Sequence, residues 1–218
     1  MDNKKQEDSM DNQTKNKQPD EKSGILLQGH IKIFDPDSDE VYVDKRNAIH
    51  YENMSEALAL NVGNKDSQFI TEMHFGNGGT TVDPTGVITY LPTNTNVQNA
   101  DLYSPQYYKI VDNTNSANAD PTRNKIEVIH TPGLIYTDIV ISCLLDYGEP
   151  SGQAVFDNSQ TLNGDFVFDE LGLKGYSSSG VGLGKLLTHV IFSPVQKSLN
   201  RLIQIDYTVR IQTLTNLT

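Results

Sequence analysis

The sequence predicts a mainly β protein, an antiparallel β-sandwich with one short helix and a flexible N-terminal arm. Three observations support this prediction: short apolar runs separated by turn residues from Gly24 onward, a C-terminal segment with strict alternation of apolar and polar residues, and an N-terminus almost devoid of apolar residues. Alternation with a period of two indicates a strand with one buried and one solvated face, which is typical of antiparallel sheets. We therefore predict an arm over residues 1–23 and a β-sandwich domain over residues 24–218.

The predicted arm is rich in charge of both signs. Residues 1–23 hold six acidic and five basic side chains among Asn, Gln and Ser. Such a composition cannot bury enough apolar surface to offset the loss of chain entropy on folding. We expect the arm to be disordered alone and to become ordered on a neighbouring subunit.

The first element of the domain is predicted to be a β-hairpin, because two alternating apolar runs flank an acidic segment with a proline. Within that segment, Asp35, Asp37 and Asp39 have the spacing that opens a calcium-binding loop. Such a loop needs glycine at its sixth position and a bidentate carboxylate at its twelfth, and these positions are Glu40 and Arg46. The hairpin tip is therefore favoured over a calcium site.

One short helix follows the hairpin. Residues 53–60 begin with Asn53 as a capping residue, carry Glu56 three residues later and continue with good helix formers. The helix is predicted to end near Gly63 and Asn64, since these two residue types readily adopt the left-handed conformation.

A glycine-rich turn, Gly76-Asn77-Gly78-Gly79-Thr80, follows an extended run at residues 69–75. Exposed backbone amides in such a turn could bind an anion. No lysine stands where a phosphate-binding loop would need one, and residues 82–86 continue as turns instead of starting a helix. A tight bend between strands is therefore the favoured interpretation.

A long excursion is predicted at about residues 91–125, which are rich in Asn, Thr, Asp and Pro. It carries three tyrosines, Tyr103, Tyr107 and Tyr108. Tyrosine provides a large contact area with few rotatable bonds to immobilise, so these three residues are the candidate partner contacts.

The C-terminal half is the clearest β region. Its predicted strands are Lys125–His130, Asp138–Leu145, Phe166–Phe168, Leu186–Phe192 and Leu202–Ile211. In the last strand the odd-numbered residues from Ile203 to Ile211 are apolar and the residues between them are polar, so one face is predicted to be buried.

The titratable residues do not form a catalytic pattern. Asp169 and Glu170 are adjacent, and neighbouring residues on a strand point to opposite faces, so they are predicted to end the strand and not to share a site. The five histidines form no helical pair of metal ligands, and His189 is predicted to be a hydrogen-bonded sheet residue. Cys143, the single cysteine, lies in an apolar run and is predicted to fill the core. We therefore predict no catalytic residue, cofactor or metal site, and a protein that is not an enzyme.

The net charge of −11 and the pI of about 4.7 disfavour direct contact with nucleic acid, since the surface repels phosphate. No apolar stretch approaches the ~20 residues of a membrane helix, and the N-terminus lacks the apolar segment of a signal peptide. We expect the protein to be made in a reducing, aqueous compartment and to have no membrane partner.

Two pieces of the chain together resemble a group of virion structural proteins of tailed bacteriophages. The first is Asp44–Met54, an Asn-containing stretch before a short helix, which leads into the glycine-rich turn at Phe75–Thr80. The second is Phe168-Asp169-Glu170-Leu171-Gly172-Leu173, which leads into Leu186–Leu199 with its motif Phe192-Ser193-Pro194-Val195-Gln196-Lys197 before the last strand. The resemblance covers most of residues 25–213.

The resemblance implies a non-enzymatic part of the neck, tail or baseplate, or a fibre attachment. The partners implied are other virion proteins and copies of the same chain in a homo-oligomeric ring, with the protein made in the host cytoplasm and located in the virion. The alternative is a carbohydrate- or receptor-binding module of a tail or fibre protein, with the three tyrosines as sugar contacts.

Overall fold

The computed structural model describes residues 24–66, 68–151 and 167–214. The predicted arm at residues 1–23 and Phe166, the predicted first residue of a strand, lie outside the described residues. The elements in chain order are β1 Gly24–Phe34, β2 Val41–Ile49, α1 Tyr51–Val62, β3 Ile70–Gly76, β4 Thr80–Val82, β5 Ile88–Tyr90, β6 Pro105–Ile110, β7 Lys125–Ile129, β8 Tyr136–Leu145, β9 Val167–Gly175, β10 Leu186–Gln196 and β11 Ile203–Leu214.

The strands form one curled nine-stranded sheet with the order β6-β3-β9-β10-β2-β1-β11-β8-β7, and a small sheet formed by β4 and β5. Every pairing is antiparallel. The two halves of the large sheet meet where β10 pairs with β2 over only two residue pairs. Both halves contribute to one hydrophobic cluster, so the sheet curls around a shared core. The predicted fold class, mainly β and antiparallel with one short helix, is confirmed.

Strand β11 shows the predicted alternation. Ile203, Ile205, Tyr207 and Val209 are buried, and the residues between them are partly exposed. The strand lies between β1 and β8, and its buried face forms part of the core. The period-two pattern therefore predicted both the type of element and its buried face.

The aromatic centre of the core comes from three strands. Phe168 makes edge-to-face contacts with Phe75 and Phe192, at ring-centroid distances of 5.5 and 5.7 Å, which is the geometry that aromatic rings favour. Cys143 is fully buried in the same cluster, and burial raises the pKa of its thiol to about 12. The prediction that this cysteine fills the core is confirmed.

Helix α1 begins two residues earlier than predicted, and its cap is not Asn53. The imidazole Nδ1 of His50 accepts the backbone N–H of Asn53 and caps the helix, while the Asn53 side chain donates to the carbonyl of Leu186 at 2.8 Å. The helix ends at Gly63 and Asn64 as predicted, but only Asn64 takes the left-handed conformation, with a φ of +50°, whereas Gly63 caps the helix with a φ of −75°.

The predicted hairpin joins β1 and β2. Asp35 Oδ1 accepts the backbone N–H groups of Asp37 and Ser38, and Asp39 takes a φ of +59°. Asp35, the first of the three aspartates with calcium-loop spacing, therefore uses its carboxylate to form the turn.

Two polar segments differ from their predicted roles. Asp169 and Glu170 do not end their strand, because β9 continues to Gly175 with every residue buried. The range predicted as an excursion contains strand β6, which pairs with β3 and forms one edge of the large sheet. Polar composition concealed β6 and most of β9. In β9 the carboxylates of Asp169 and Glu170 accept donors that are distant in the sequence, and in β6 Lys109 donates to the carbonyl of Leu144.

Candidate functional site

The glycine turn at residues 76–80 does bind an anion, and that anion belongs to the chain itself. The carboxylate of Asp169 accepts the backbone N–H groups of Gly79 and Thr80 at 2.9 and 2.8 Å, and the Thr80 hydroxyl at 2.5 Å. Burial nevertheless raises the pKa of Asp169, because desolvation penalises the charged form. The amides predicted as a possible anion cradle are occupied by an internal partner.

Glu170 is fully buried and binds four donors. It accepts the backbone N–H groups of Gly78, Tyr103 and Ser104 at 3.1, 2.9 and 2.7 Å, and contacts His189 Nε2 at 3.0 Å. Adjacent strand residues were predicted not to share a site, and this prediction is wrong for the glycine turn. The side chains leave the strand in opposite directions, but consecutive amides of the turn reach both carboxylates.

His189 is held in one tautomer by its two partners. Its Nδ1 accepts the backbone N–H of Asn94 at 2.8 Å, so the ring proton lies on Nε2 and is donated to Glu170. The ring is fully buried, and the ring of Tyr103 lies 5.8 Å from it. The prediction of a hydrogen-bonded sheet histidine is confirmed.

Residues 91–104, which we call the strap, cross the outer face of β9 and β10 and are fixed by side chains from the body. His50 Nε2 contacts the carbonyl of Val97 at 2.8 Å, and Asn53 donates to the carbonyl of Gln98 at 3.1 Å. Further contacts come from Glu170 and His189, described above, and from Lys174, which donates to Asp101 at 2.8 Å. The buried polar residues therefore act together to position the strap on the sheet.

Gly172 provides space for the strap at the middle of β9. A Cβ at this position would lie 2.6 Å from Leu186 Cδ1, 2.8 Å from the carbonyl oxygen of Thr188 and 3.1 Å from Leu102 Cδ2 in the strap. Because one of these atoms is backbone, the sheet itself would have to move.

We expect Gly172→Ala to lower the free energy of unfolding by about 1–3 kcal/mol, since overpacking a buried site forces backbone shifts. Urea unfolding followed by circular dichroism measures the change. Gly24→Ala is the matched control, because a Cβ there meets only Leu214 Cδ1 at 4.0 Å. A loss no larger than that of the control would contradict the role of Gly172.

The three candidate tyrosines lie on two different faces. Tyr107 packs against the core, 6.2 Å from the ring of Phe75, and burial raises its pKa to about 12. Tyr103 and Tyr108 are 42% and 45% exposed, and the ring of Tyr108 stacks on His74 at 5.5 Å. Tyr103 and Tyr108 thus present part of their rings to solvent, whereas Tyr107 stabilises the fold.

A large exposed apolar surface lies elsewhere, at the end of the molecule where α1 packs. Two adjoining cavities of about 320 and 540 Å³ share Leu58 as a lining residue. We call them together the apolar trough. Its aliphatic lining includes Ile25, Leu27, Leu58, Ile126, Val128 and Ile139.

The trough is apolar because the inner face of the sheet extends beyond the part that α1 covers. Ile25 and Val128 belong to the inward-facing sets of β1 and β7, yet they are 63% and 69% exposed. The lining includes the carboxylates of Asp112 and Glu52, and none of the described residues that form it is a lysine or an arginine. Sequence reasoning missed this surface, since the same alternating pattern continues across covered and uncovered parts of a strand.

Within residues 24–66, 68–151 and 167–214, no group of three or more His, Cys, Asp or Glu side chains is arranged to hold a metal ion. Over the same ranges, no helix is long and apolar enough to cross a membrane. Comparison with the profiles of known protein families, with curated proteins and with solved structures found no match to this chain.

Proposed function

We propose that this protein is a non-enzymatic structural subunit that assembles with copies of itself and with neighbouring proteins through the apolar trough. The observation that supports this proposal most directly is the exposed trough itself. Contiguous apolar surface of this kind on a soluble protein marks a site of association. Burying it against a partner removes aliphatic side chains from water. Two carboxylates are also present in the lining: that of Asp112 already accepts the Thr114 N–H and hydroxyl, and that of Glu52 must stay at the rim or receive a donor from the partner.

The trough is also suited to docking because regular elements supply most of its lining. Its lining residues lie mainly on β1, β3, β7, β8, β10 and α1, whose backbones are fixed by hydrogen bonds and by the core, and the connections contribute residues 68–69 and 112–114. A surface carried by strands and a helix loses less conformational entropy on binding than a loop does.

The resemblance to virion structural proteins of tailed bacteriophages supports the same class of function. Its segments at residues 75–80 and 168–173 meet in the network around Asp169 and Glu170, which fixes the sheet and the strap. We propose that the assembly is a virion substructure such as a neck, tail or baseplate ring, in which the network provides a rigid body and the trough provides the contact.

Ile25→Lys tests the proposal. The lysine would lie in the trough, and burying a large aliphatic side chain contributes about 1.5–3 kcal/mol, so the substitution should weaken assembly about 10- to 100-fold. Native mass spectrometry over a concentration series measures the oligomer populations.

Val87→Lys is the matched control, because Val87 is 58% exposed and lies away from the trough, between β4 and β5. Wild type and the control should associate equally. A wild type that stays monomeric at all concentrations, or a control as defective as Ile25→Lys, would contradict the proposal.

A further inference from the structure

Among the described residues, strand β7 forms one edge of the large sheet and pairs with β8 alone. The backbone N–H of Ile126 donates to the side chain of Asn113 at 3.2 Å, so it points away from β8. In an antiparallel ladder, alternate residues direct their N–H and C=O groups to the same side. Val128, two residues further on, therefore also directs its backbone groups outward from the sheet.

Val128 lies at the most exposed part of this edge. Its side chain is 69% exposed, that of Ile129 is 53% exposed, and no side chain in the described part of the protein hydrogen-bonds the Val128 backbone. Leu134 and Ile135, in the connection to β8, are exposed as well. An outward backbone edge flanked by exposed apolar side chains is a template for pairing with another strand.

We infer that the strand bound at this edge is β7 of a second copy, in an antiparallel pair whose two-fold axis passes through Val128. This inference rests on the proposed assembly function and names its partner. A two-fold pair is self-complementary, so one edge serves both copies. In this register Val128 faces its symmetry mate and Glu127 faces Ile129 of the other copy. The pairing ends there, because the next outward N–H, that of Ile126, is bound by Asn113.

Other registers are disfavoured by the residues of the edge. A two-fold axis at Ile126 would compete with the side chain of Asn113 for the same N–H group. An axis at Glu127 would place two carboxylates opposite each other, and the backbone of Glu127 is directed to β8. Ile126 and Val128 both combine outward backbone groups with an uncharged side chain, but among the described residues only the Val128 groups are not bound by a side chain.

Charge and shape both favour a second copy at this edge. Lys125 and Glu127 form an ion pair at 3.0 Å, so the strand adds little to the repulsion between two acidic chains. Val128 and Ile126 also line the trough. Pairing the edges would therefore join the troughs of the two copies into one continuous apolar surface.

A cysteine crosslink tests the inference in the full-length protein. Residues directly opposite in a hydrogen-bonded antiparallel pair have Cα atoms about 5.5 Å apart, within the range of a disulfide. The native Cys143 is fully buried, so a new cysteine supplies the accessible thiol. Under mild oxidation Val128→Cys should form a covalent dimer, seen on non-reducing gels, at a yield at least fivefold above that of Val87→Cys.

The outcomes separate the two proposals. If wild type assembles and Ile25→Lys dissociates it, but Val128→Cys crosslinks no better than Val87→Cys, the edge pairing is wrong and the assembly function stands. If wild type is monomeric and neither cysteine variant crosslinks, both are wrong. Val128→Lys should weaken dimerisation at least tenfold, and full dimerisation of this variant would overturn the inference.

Discussion

Replacing Glu170 by alanine is expected to lower the free energy of unfolding by at least about 4 kcal/mol, or to prevent folding. The substitution removes the acceptor of three backbone N–H groups and of His189, all in a buried site. Each unsatisfied buried donor costs about 1–3 kcal/mol, and a domain has only about 5–15 kcal/mol in total. Urea unfolding measured by circular dichroism gives the free energy.

Two further variants make the test specific. Glu170→Gln keeps the size of the side chain but turns an NH₂ group toward partners that are all donors, so it should also lose at least about 2 kcal/mol. Glu40→Ala removes a carboxylate at the hairpin tip that is 63% exposed and whose contacts among the described residues are at the surface, with the Tyr42 hydroxyl at 3.2 Å and with Arg201 at 3.9 Å, so it should change stability by less than about 0.5 kcal/mol. A loss below about 1 kcal/mol for Glu170→Ala would contradict the proposed role of the network.

The second large effect is an increase in stability: replacing Lys197 by methionine is expected to raise the free energy of unfolding. Lys197 is 1% exposed, and burial lowers its pKa to about 8. Among the described residues no carboxylate lies within ion-pair distance of it, and its Nζ donates to the carbonyl of Ser198 at 2.9 Å. Methionine retains the length of the side chain and removes the charge, so the free energy of unfolding at pH 7 should rise by about 2–3 kcal/mol.

The pH dependence provides a separate test. The folded pKa of Lys197, about 8, lies below the ordinary value of 10.5, so between these values the unfolded chain binds more protons. Lys197 should therefore make the stability of the wild type rise with pH between about 8 and 9; above pH 9 the buried Cys143 thiol, whose pKa is raised from 9.0 to about 12, opposes this rise. In Lys197→Met this rise should be absent, whereas Lys65→Met, at an exposed position, should retain it. An unchanged rise in Lys197→Met would show that another group causes it.

The sequence predicted those features of the fold that depend on local pattern. Strand β11 alternates because one face is buried, and the β1–β2 hairpin turns at Asp35 because aspartate bonds to its own backbone. Strand β9 was predicted as too short, since Asp169 and Glu170 resemble a strand end until the glycine turn and the strap supply their donors. The cap at His50 was missed for a similar reason, because the carbonyl of Val97 binds the other ring nitrogen.

The candidate surfaces were harder to predict than the fold. Tyr107 and Tyr108 are neighbours in the sequence, but strand alternation places one in the core and leaves the other exposed. Ile25 follows the alternation of the buried residues of β1, and Val128 follows that of the partly buried Ile126 in β7, so in the sequence both resemble core residues although they are exposed. Their exposure depends on the length of α1 relative to the sheet, which is a property of the assembled fold and not of any segment.

The pairing of β1 with β11 places Gly24 directly opposite Leu214. The polypeptide therefore enters and leaves the described sheet at neighbouring points. A short linker could join these two positions, and new ends could be opened in an exposed turn, with the order of the strands retained. In such a circular permutant the pairing that is most distant along the chain would become a hairpin. Its formation would then no longer require closure of the whole chain.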